Sequence, residues 1–155
     1  KTFRLAAPTK NMSVDVYAET IIARPRADVA NFVFDPKSEK LWIEGVQKAF
    51  PQSTGSFTHG ARTERWGVLA GLQYVCDVVV TRDEPGKMLE FSGSEPFEMK
   101  IKYTLEDHAE GTSINIRIQS IGSTNQIAMP PAILSNKVKE DLESSLKKLK
   151  SRLET

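Results

Sequence analysis

The chain has 155 residues, of which 39% are hydrophobic, and its formal net charge is +1. This length suits one domain that buries about two thirds of its unfolded surface, and the composition is not that of a disordered chain. A near-neutral charge argues against nucleic acid as a partner, because binding to phosphates needs a basic surface. No apolar run approaches the roughly 18 residues of a membrane-spanning helix, so we do not expect an integral membrane protein.

The first residues differ in character from the rest of the chain. Residues 1–11 hold three basic residues and no acid, and Met12 then opens a strand pattern. We therefore expect residues 1–11 to be an upstream tail and residues 12–155 to form a single domain. Without the tail, 18 basic residues stand against 20 acidic ones, a net charge of −2. The start lacks a signal-peptide pattern and the lone Cys76 cannot form a disulfide within the chain, so we expect a cytoplasmic protein.

The first third of the chain predicts one strand, two short helices and a second strand. Apolar and polar residues alternate over 13–23, the period of a half-buried strand. Pro25 ends this strand and opens a helix over 26–34, since proline at a helix start costs no hydrogen bond. Asp35 and Pro36 begin a second short helix that runs to Trp42, with Asp35 as its cap. A second strand is then predicted over 46–51, directly after Gly45.

The middle of the chain is almost entirely β in pattern. Strands are predicted over residues 61–68, 72–82 and 88–93, and Glu84-Pro85-Gly86-Lys87 forms a turn between the last two. Two more strands follow, with alternating apolar residues at Phe97, Met99, Ile101, Tyr103, Leu105, Ile114, Ile116 and Ile118. Such regular alternation indicates an antiparallel sheet with one buried and one solvated face.

A long C-terminal helix is the only element available to cover that sheet. It opens at Pro130-Pro131, and its apolar residues fall on one stripe about 120° wide: Leu134, Val138, Leu142, Leu146, Leu149 and Leu153. The sequence therefore predicts an α+β helix-grip architecture. In it, a bent seven-stranded antiparallel sheet wraps around a long C-terminal helix, with two short helices between strands 1 and 2 and an apolar pocket between sheet and helix.

Several short sequence segments, taken in chain order, resemble those of the START-like superfamily. They are Ile22-Ala23-Arg24-Pro25, Asp35-Pro36 with Trp42 and Gly45, Gly60-Ala61-Arg62, Asp83-Glu84-Pro85, and Tyr103-Thr104-Leu105 with Gly111-Thr112. The resemblance covers about residues 13–153 and is to the Bet v 1-like helix-grip proteins, within them the polyketide cyclase/dehydrase and lipid-transport group. It implies a cavity that takes hydrophobic small molecules, but not one activity, because a fold does not fix a function.

The expected pocket wall combines inward strand residues with the helix stripe. An inward tyrosine needs a hydrogen-bond partner or offers its hydroxyl to a ligand, which singles out Tyr74 and Tyr103. Ordinary core packing is the alternative at each position, and for Trp42 and Cys76 it is the preferred one. The predicted ligand-binding residues are Trp42, Trp66, Tyr74, Cys76, Phe91, Phe97, Met99, Tyr103, Leu134, Val138 and Leu142.

Catalytic candidates are few. In related cyclases, basic and polar cavity groups are thought to polarise a carbonyl and assist proton transfer, so Arg65, Glu90 and His59 are the candidates here. Arg82 is more typical of a surface residue. The two histidines have no ligands at metal-binding spacing, and no dinucleotide or phosphate-binding motif occurs, so we expect no metal and no cofactor.

Three functions remain open from the sequence. The leading hypothesis is a carrier or sensor that binds a hydrophobic small molecule, lipid-like, aromatic or polyketide-like. The alternative is a cyclase or aromatase that uses cavity Tyr and Arg groups, which requires at least two polar side chains to converge in the cavity. The third is a protein-interaction module, which requires a filled cavity and an exposed apolar patch. A homodimer is compatible with each.

Overall fold

The computed structural model describes residues 13–155, so the predicted tail over residues 1–11 lies outside the described residues. The structure confirms the predicted α+β architecture. Its elements in chain order are β1 (Asp15–Ile22), α1 (Arg26–Val33), a 3₁₀ turn (Pro36–Ser38), α2 (Glu39–Trp42), β2 (Val46–Pro51), β3 (Arg62–Leu69), β4 (Leu72–Glu84), β5 (Met88–Gly93), β6 (Met99–His108), β7 (Gly111–Ser120) and α3 (Pro131–Leu153).

All seven strands form one antiparallel sheet in the order β1-β7-β6-β5-β4-β3-β2. The first and last strands are neighbours, with Asp15 opposite Gln119. The two edge strands of the sheet are β1 and β2. Register shifts occur in β2 between Val46 and Lys48 and in β4 between Val80 and Arg82. Irregularities of this kind bend a strand and increase its twist, which helps the sheet to curve around its core.

The inner face of the sheet is covered mainly by α3. The predicted apolar stripe of this helix is buried, from Leu134 to Leu153. Burial of each such side chain contributes about 1.5–3 kcal/mol before entropy is counted. One end of the helix is fixed by the Ser135 hydroxyl, which donates to the Ser13 carbonyl, and the other by Lys150 Nζ, which donates to the Ile21 carbonyl.

Polar groups on the flank of α3 hold two chain connections over the sheet. The backbone N–H of Glu44 donates to Ser145 Oγ at 2.8 Å, and the N–H of Ala70 donates to Asp141 Oδ2 at 2.9 Å. Burial raises the pKa of Asp141, although the Ala70 N–H acts in the opposite direction. Lys148 Nζ lies 2.9 Å from Glu44 Oε1, which also accepts from the Ser144 hydroxyl. The segment after α2 and the β3–β4 turn are therefore both tied to the same helix.

The segment after α2 crosses β3 at two glycines. Val68 N–H donates to the Gly45 carbonyl at 3.0 Å. A Cβ at Gly67 would lie 2.4 Å from the Gly45 carbonyl oxygen, and one at Gly45 would lie 1.9 Å from the Val68 carbonyl oxygen. Gly45 also has a φ of +86°, which other residues rarely adopt. Only glycine at both positions permits this approach of the two backbones.

Candidate functional site

A buried ion pair joins α2 to the inner face of β3. Thr63, Arg65 and Gly67 alternate with outward residues along β3, which directs the Arg65 side chain into the core. There Nε donates to Glu39 Oε1 at 3.0 Å, and Nη2 donates to Glu39 Oε2. The two side chains are only 6% and 1% exposed. The fork of the guanidinium therefore meets both carboxylate oxygens away from water.

Both members of this pair must be charged for the contact to be favourable. Burial acts to lower the pKa of Arg65, but the charge of the Glu39 carboxylate and its hydrogen bonds outweigh burial and raise that pKa. The guanidinium carbon also lies 5.7 Å from the centre of the Phe91 ring, within range of a cation–π contact. Bidentate geometry is the arrangement that best offsets the cost of removing two ions from water.

Two tyrosines surround the ion pair. Burial raises the pKa of Tyr103 to about 12, and nearby Arg65 only partly opposes this effect. The Tyr103 ring makes edge contacts with Trp42 at 5.8 Å and with Phe91 at 5.2 Å between ring centres. Burial also raises the pKa of Tyr74, which lies on β4 opposite Gly67. Both phenols therefore stay protonated at neutral pH and can donate a hydrogen bond.

The same region holds buried polar atoms whose hydrogen bonds are not made. Trp42 Nε1 and Thr63 Oγ1 are buried without a hydrogen-bond partner among residues 13–155. An unsatisfied buried group of this kind costs about 1–3 kcal/mol. Proteins retain few such groups, so these two atoms mark the region around the ion pair as one in which polar groups are left without partners.

An apolar cavity of about 60 Å³ adjoins the ion pair. Its wall is formed by inner-face residues of five strands and by the segments at Ile43-Glu44 and Glu95. The lining residues are Ile43, Glu44, Arg65, Leu69, Tyr74, Cys76, Val78, Gly93, Glu95, Met99, Ile101 and Ile118. Since one water needs about 10–15 Å³ of such space, the cavity has room for about four waters. A larger ligand requires its wall to move outward.

Grooves on the outer surface are wider but suit an apolar ligand less well. One of about 440 Å³ is bordered by Arg26, Arg82, Lys87 and Lys102 together with three acidic residues. These walls are open and mostly charged, whereas small-molecule sites are predominantly apolar with few polar groups. The cavity beside Arg65 is therefore the candidate site.

Comparisons with solved structures identify the fold. No protein-family model matches the sequence, and no curated protein matches it significantly. A START superfamily protein from Mycobacterium smegmatis aligns with a TM-score of 0.74 at 12% identity, over 90% of this chain and 97% of that one. Ara h 8.0201 aligns with a TM-score of 0.65 at 14% identity, over 90% of this chain and 96% of that one. The chain has a START-like fold.

A further structure with this fold is larger than the present chain. The di-domain ARO/CYC StfQ from the steffimycin biosynthetic pathway aligns with a TM-score of 0.75 at 11% identity. The alignment covers 97% of this chain but 54% of StfQ. The whole described START-like domain therefore corresponds to about half of that protein.

The START-like fold brings some of the predicted site residues together. Arg65, Tyr74, Cys76 and Met99 line the cavity. Trp42, Phe91 and Tyr103 form the aromatic cluster beside the ion pair without lining the cavity. The other buried members of the predicted wall are core residues outside the cavity lining: Phe97, Leu134, Val138 and Leu142.

Three predicted residues lie away from the cavity. Trp66 is 42% exposed on the outer face of β3, where its Nε1 donates to Glu64. Glu90 is on the outer face of β5, because its neighbours Leu89 and Phe91 both point into the core, and it lies 3.6 Å from Arg82. His59 is exposed in the loop before β3, and its backbone N–H donates to Asp83. None of the three is placed to act on a molecule in the cavity.

Sequence reasoning missed Glu39, Glu44 and Glu95. Glu39 is the partner of Arg65, and the other two carboxylates belong to the cavity wall. A signal for Glu39 existed, because Arg65 shares one face of a strand with the small residues Thr63 and Gly67. An inward arginine requires a buried acid, and the short helix that precedes β2 carries one.

Two further properties of residues 13–155 concern metal binding and membrane crossing. No group of three or more His, Cys, Asp or Glu side chains is arranged to hold a metal ion in that part of the chain. None of the helices there combines the length and the apolar character that a membrane crossing needs.

Proposed function

We propose that this chain binds a hydrophobic small molecule in the cavity beside Arg65, as a carrier or sensor. The observation that carries the proposal is an apolar wall with hydrogen-bonding groups on one side, Arg65 and Tyr74. This combination is typical of small-molecule sites, in which apolar contact supplies affinity and a few polar groups fix orientation. The structures that share the fold, a START superfamily protein and an ARO/CYC protein among them, are consistent with such a role.

Binding requires the cavity to widen, and the structure offers a place for this. Leu69 lies in the wall, and the β3–β4 turn that follows it is held to α3 by the hydrogen bond from the Ala70 N–H to Asp141. The other connection is held more firmly, because Glu44 contacts Ser145, Ser144 and Lys148. A hydrogen bond to a charged group contributes about 1.5–3 kcal/mol net, which burial of a modest apolar ligand offsets. The β3–β4 turn is therefore the part of the wall that we expect to move.

The test is a titration with a panel of lipid-like and aromatic compounds, followed by nuclear magnetic resonance of the backbone amides. We expect shift changes at cavity residues on β3, β4 and β6 and a rise in melting temperature. Ile118→Phe fills the cavity and should abolish binding, whereas Ile121→Phe adds the same ring at a residue that is 50% exposed and should not. Equal affinity in both variants, or no ligand from the panel, would contradict the proposal.

A cyclase or aromatase-type enzyme is the second candidate, because Arg65 and Tyr74 do converge on one cavity. General base catalysis also needs a group free to accept a proton. Glu39 is occupied by Arg65, and neither Glu90 nor His59 faces the cavity. Glu95, at the exposed edge of the wall, is the carboxylate left to accept a proton. Spectra of the bound compound distinguish the two candidates, since a carrier returns it unchanged and an enzyme converts it.

A further inference from the structure

We infer that the cavity selects neutral molecules that carry a hydrogen-bond-accepting oxygen, such as a ketone, and rejects carboxylates of the same size. The inference rests on the proposed function and names its ligand class. It follows from two independent features of the site, the balance of charge around the cavity and the balance of donors and acceptors.

The balance of charge disfavours an anion. Within residues 13–155, Arg65 is the only cationic side chain in the wall, and Glu39 neutralises it. The other charged members of the wall are Glu44, which Lys148 neutralises, and Glu95, which has no ion-pair partner among residues 13–155. A carboxylate that entered the cavity would lose its hydration next to a net negative wall, and a buried charge without a partner is strongly unfavourable.

An incoming anion also gains little net charge compensation from Arg65. Nε and Nη2 of the guanidinium bind Glu39. To displace that carboxylate, the anion would leave Glu39 buried at 1% exposure without its cation. Breaking a buried pair in this way is far more costly than leaving it intact, so an anion meets Arg65 only at a remaining N–H, where the adjacent Glu39 carboxylate already neutralises the guanidinium.

The balance of hydrogen bonds favours an acceptor. A guanidinium carries five N–H groups, of which Glu39 engages one on Nε and one on Nη2, and the Tyr103 hydroxyl also hydrogen-bonds Arg65. The protonated hydroxyl of Tyr74 lies in the same wall. Among the acidic acceptors near the cavity in residues 13–155, Glu39 is engaged by Arg65, Glu44 is engaged by Lys148 and Ser144, and Glu95 lies exposed at the edge. A neutral ligand oxygen that accepts from a remaining guanidinium N–H and from Tyr74 gains these hydrogen bonds without adding charge to the wall.

The experiment compares acetylnaphthalene with naphthoate, substituted at the same ring position, by calorimetric or resonance titration at neutral pH. We expect the ketone to bind at least about tenfold more tightly than the carboxylate. If the wild type binds neither compound, the proposed function is contradicted and the inference falls with it. If it binds naphthoate as tightly as the ketone, the inference is wrong while the proposed function stands.

Glu39→Gln tests the cause of this selectivity. The variant keeps the shape of the side chain and leaves Arg65 as an unneutralised cation, so the preference for the ketone should shrink or reverse. Asp15→Asn is the matched control, since it removes one carboxylate from an arginine fork on the outer face of the sheet. An unchanged preference in folded Glu39→Gln, or the same change in the control, would overturn the inference.

A second variant keeps the test decisive if Glu39→Gln does not fold. Glu95 is exposed at the edge of the cavity, so Glu95→Gln should leave folding intact. We expect it to raise the affinity for naphthoate several-fold relative to that for the ketone. Unchanged naphthoate binding would show that the wall charge does not set selectivity.

Discussion

Two arginine forks with the same geometry lie on opposite faces of the sheet. On the outer face, Arg117 Nε and Nη2 donate to the two oxygens of Asp15 at 2.8 and 2.7 Å, and the pair links β7 to β1. On the inner face, Arg65 uses the same two nitrogens to bind Glu39. The outer side chains are 48% and 32% exposed, whereas the inner ones are 6% and 1% exposed.

The two pairs differ in their exposure to solvent and not in their geometry, and we expect this to set their contributions to stability. Water screens the outer pair and can replace either partner, so such pairs typically contribute 0–1 kcal/mol. Within the core, neither partner of the inner pair can be replaced by water. We therefore expect the inner pair to tolerate joint replacement but not the loss of one member. The first three predictions below probe the inner pair and its surroundings, and the last probes the outer pair.

The largest effect should follow from Glu39→Ala. This change leaves the Arg65 guanidinium buried and unpaired, and we expect a loss of about 3–5 kcal/mol in the free energy of unfolding. Urea denaturation measures it. Asp15→Ala is the matched change on the outer face and should cost no more than about 1 kcal/mol. Equal losses in the two variants would mean that burial does not distinguish the pairs.

The next effect concerns Tyr103 in alkali. Its pKa is raised from 10.0 to about 12 by burial, so the folded state resists losing this proton. The resulting stability is fully present below pH 10 and is lost as pH rises toward 12. Between pH 9 and pH 11.5, the wild type should lose about 2 kcal/mol more than Tyr103→Phe.

Urea unfolding at the two pH values tests this prediction. Tyr17→Phe serves as the control, because Tyr17 is 55% exposed. The control should follow the wild type across the same pH range. If Tyr103→Phe loses stability in parallel with both, burial does not hold the Tyr103 proton.

A smaller effect is expected when both members of the inner pair are replaced. Glu39→Leu combined with Arg65→Met exchanges two ions for apolar side chains of similar length, and we expect stability within about 1 kcal/mol of the wild type or above it. Urea denaturation measures how much of the free energy of unfolding lost in Glu39→Ala is regained in the double variant. A double variant as unstable as Glu39→Ala would indicate that the pair, and not the space it fills, maintains the core.

The smallest effect belongs to the outer pair. The hydrogen bond from Arg117 lowers the pKa of Asp15. Its stabilisation is present above the unfolded carboxyl pKa of about 3.9 and is lost as pH falls through the lower folded value. Asp15→Asn should therefore cost a few tenths of a kcal/mol at neutral pH and nothing near pH 2, measured by urea denaturation. A cost that persists at pH 2 would assign it to packing.

The fold could be predicted from the sequence because its signals are local. Period-two alternation defined the strands and their faces, and the stripe from Leu134 to Leu153 defined the covering helix. The same alternation could have placed Glu90 outside, since Leu89 and Phe91 flank it and both are buried. Trp66 follows the same rule, because it alternates with the inward Arg65.

The contact between Arg65 and Glu39 could not be predicted in this way. The two residues lie 26 positions apart, and Glu39 reaches the core only through the rotation of a single-turn helix. The orientation of that helix is a tertiary property, which has no periodic signature in the sequence. The cavity is equally non-local, because its wall draws on five strands and two connections.

The crossing at Gly45 and Gly67 determines which substitutions these two positions tolerate. A methyl group at either position would collide with backbone, which cannot turn aside as a side chain can. The displaced segment is continuous with α2, which carries Glu39. A substitution at either glycine would therefore also disturb the ion pair. In a saturation mutagenesis screen for function, we expect these two glycines to tolerate fewer amino acids than Cys76 or Met99, although neither glycine belongs to the cavity wall.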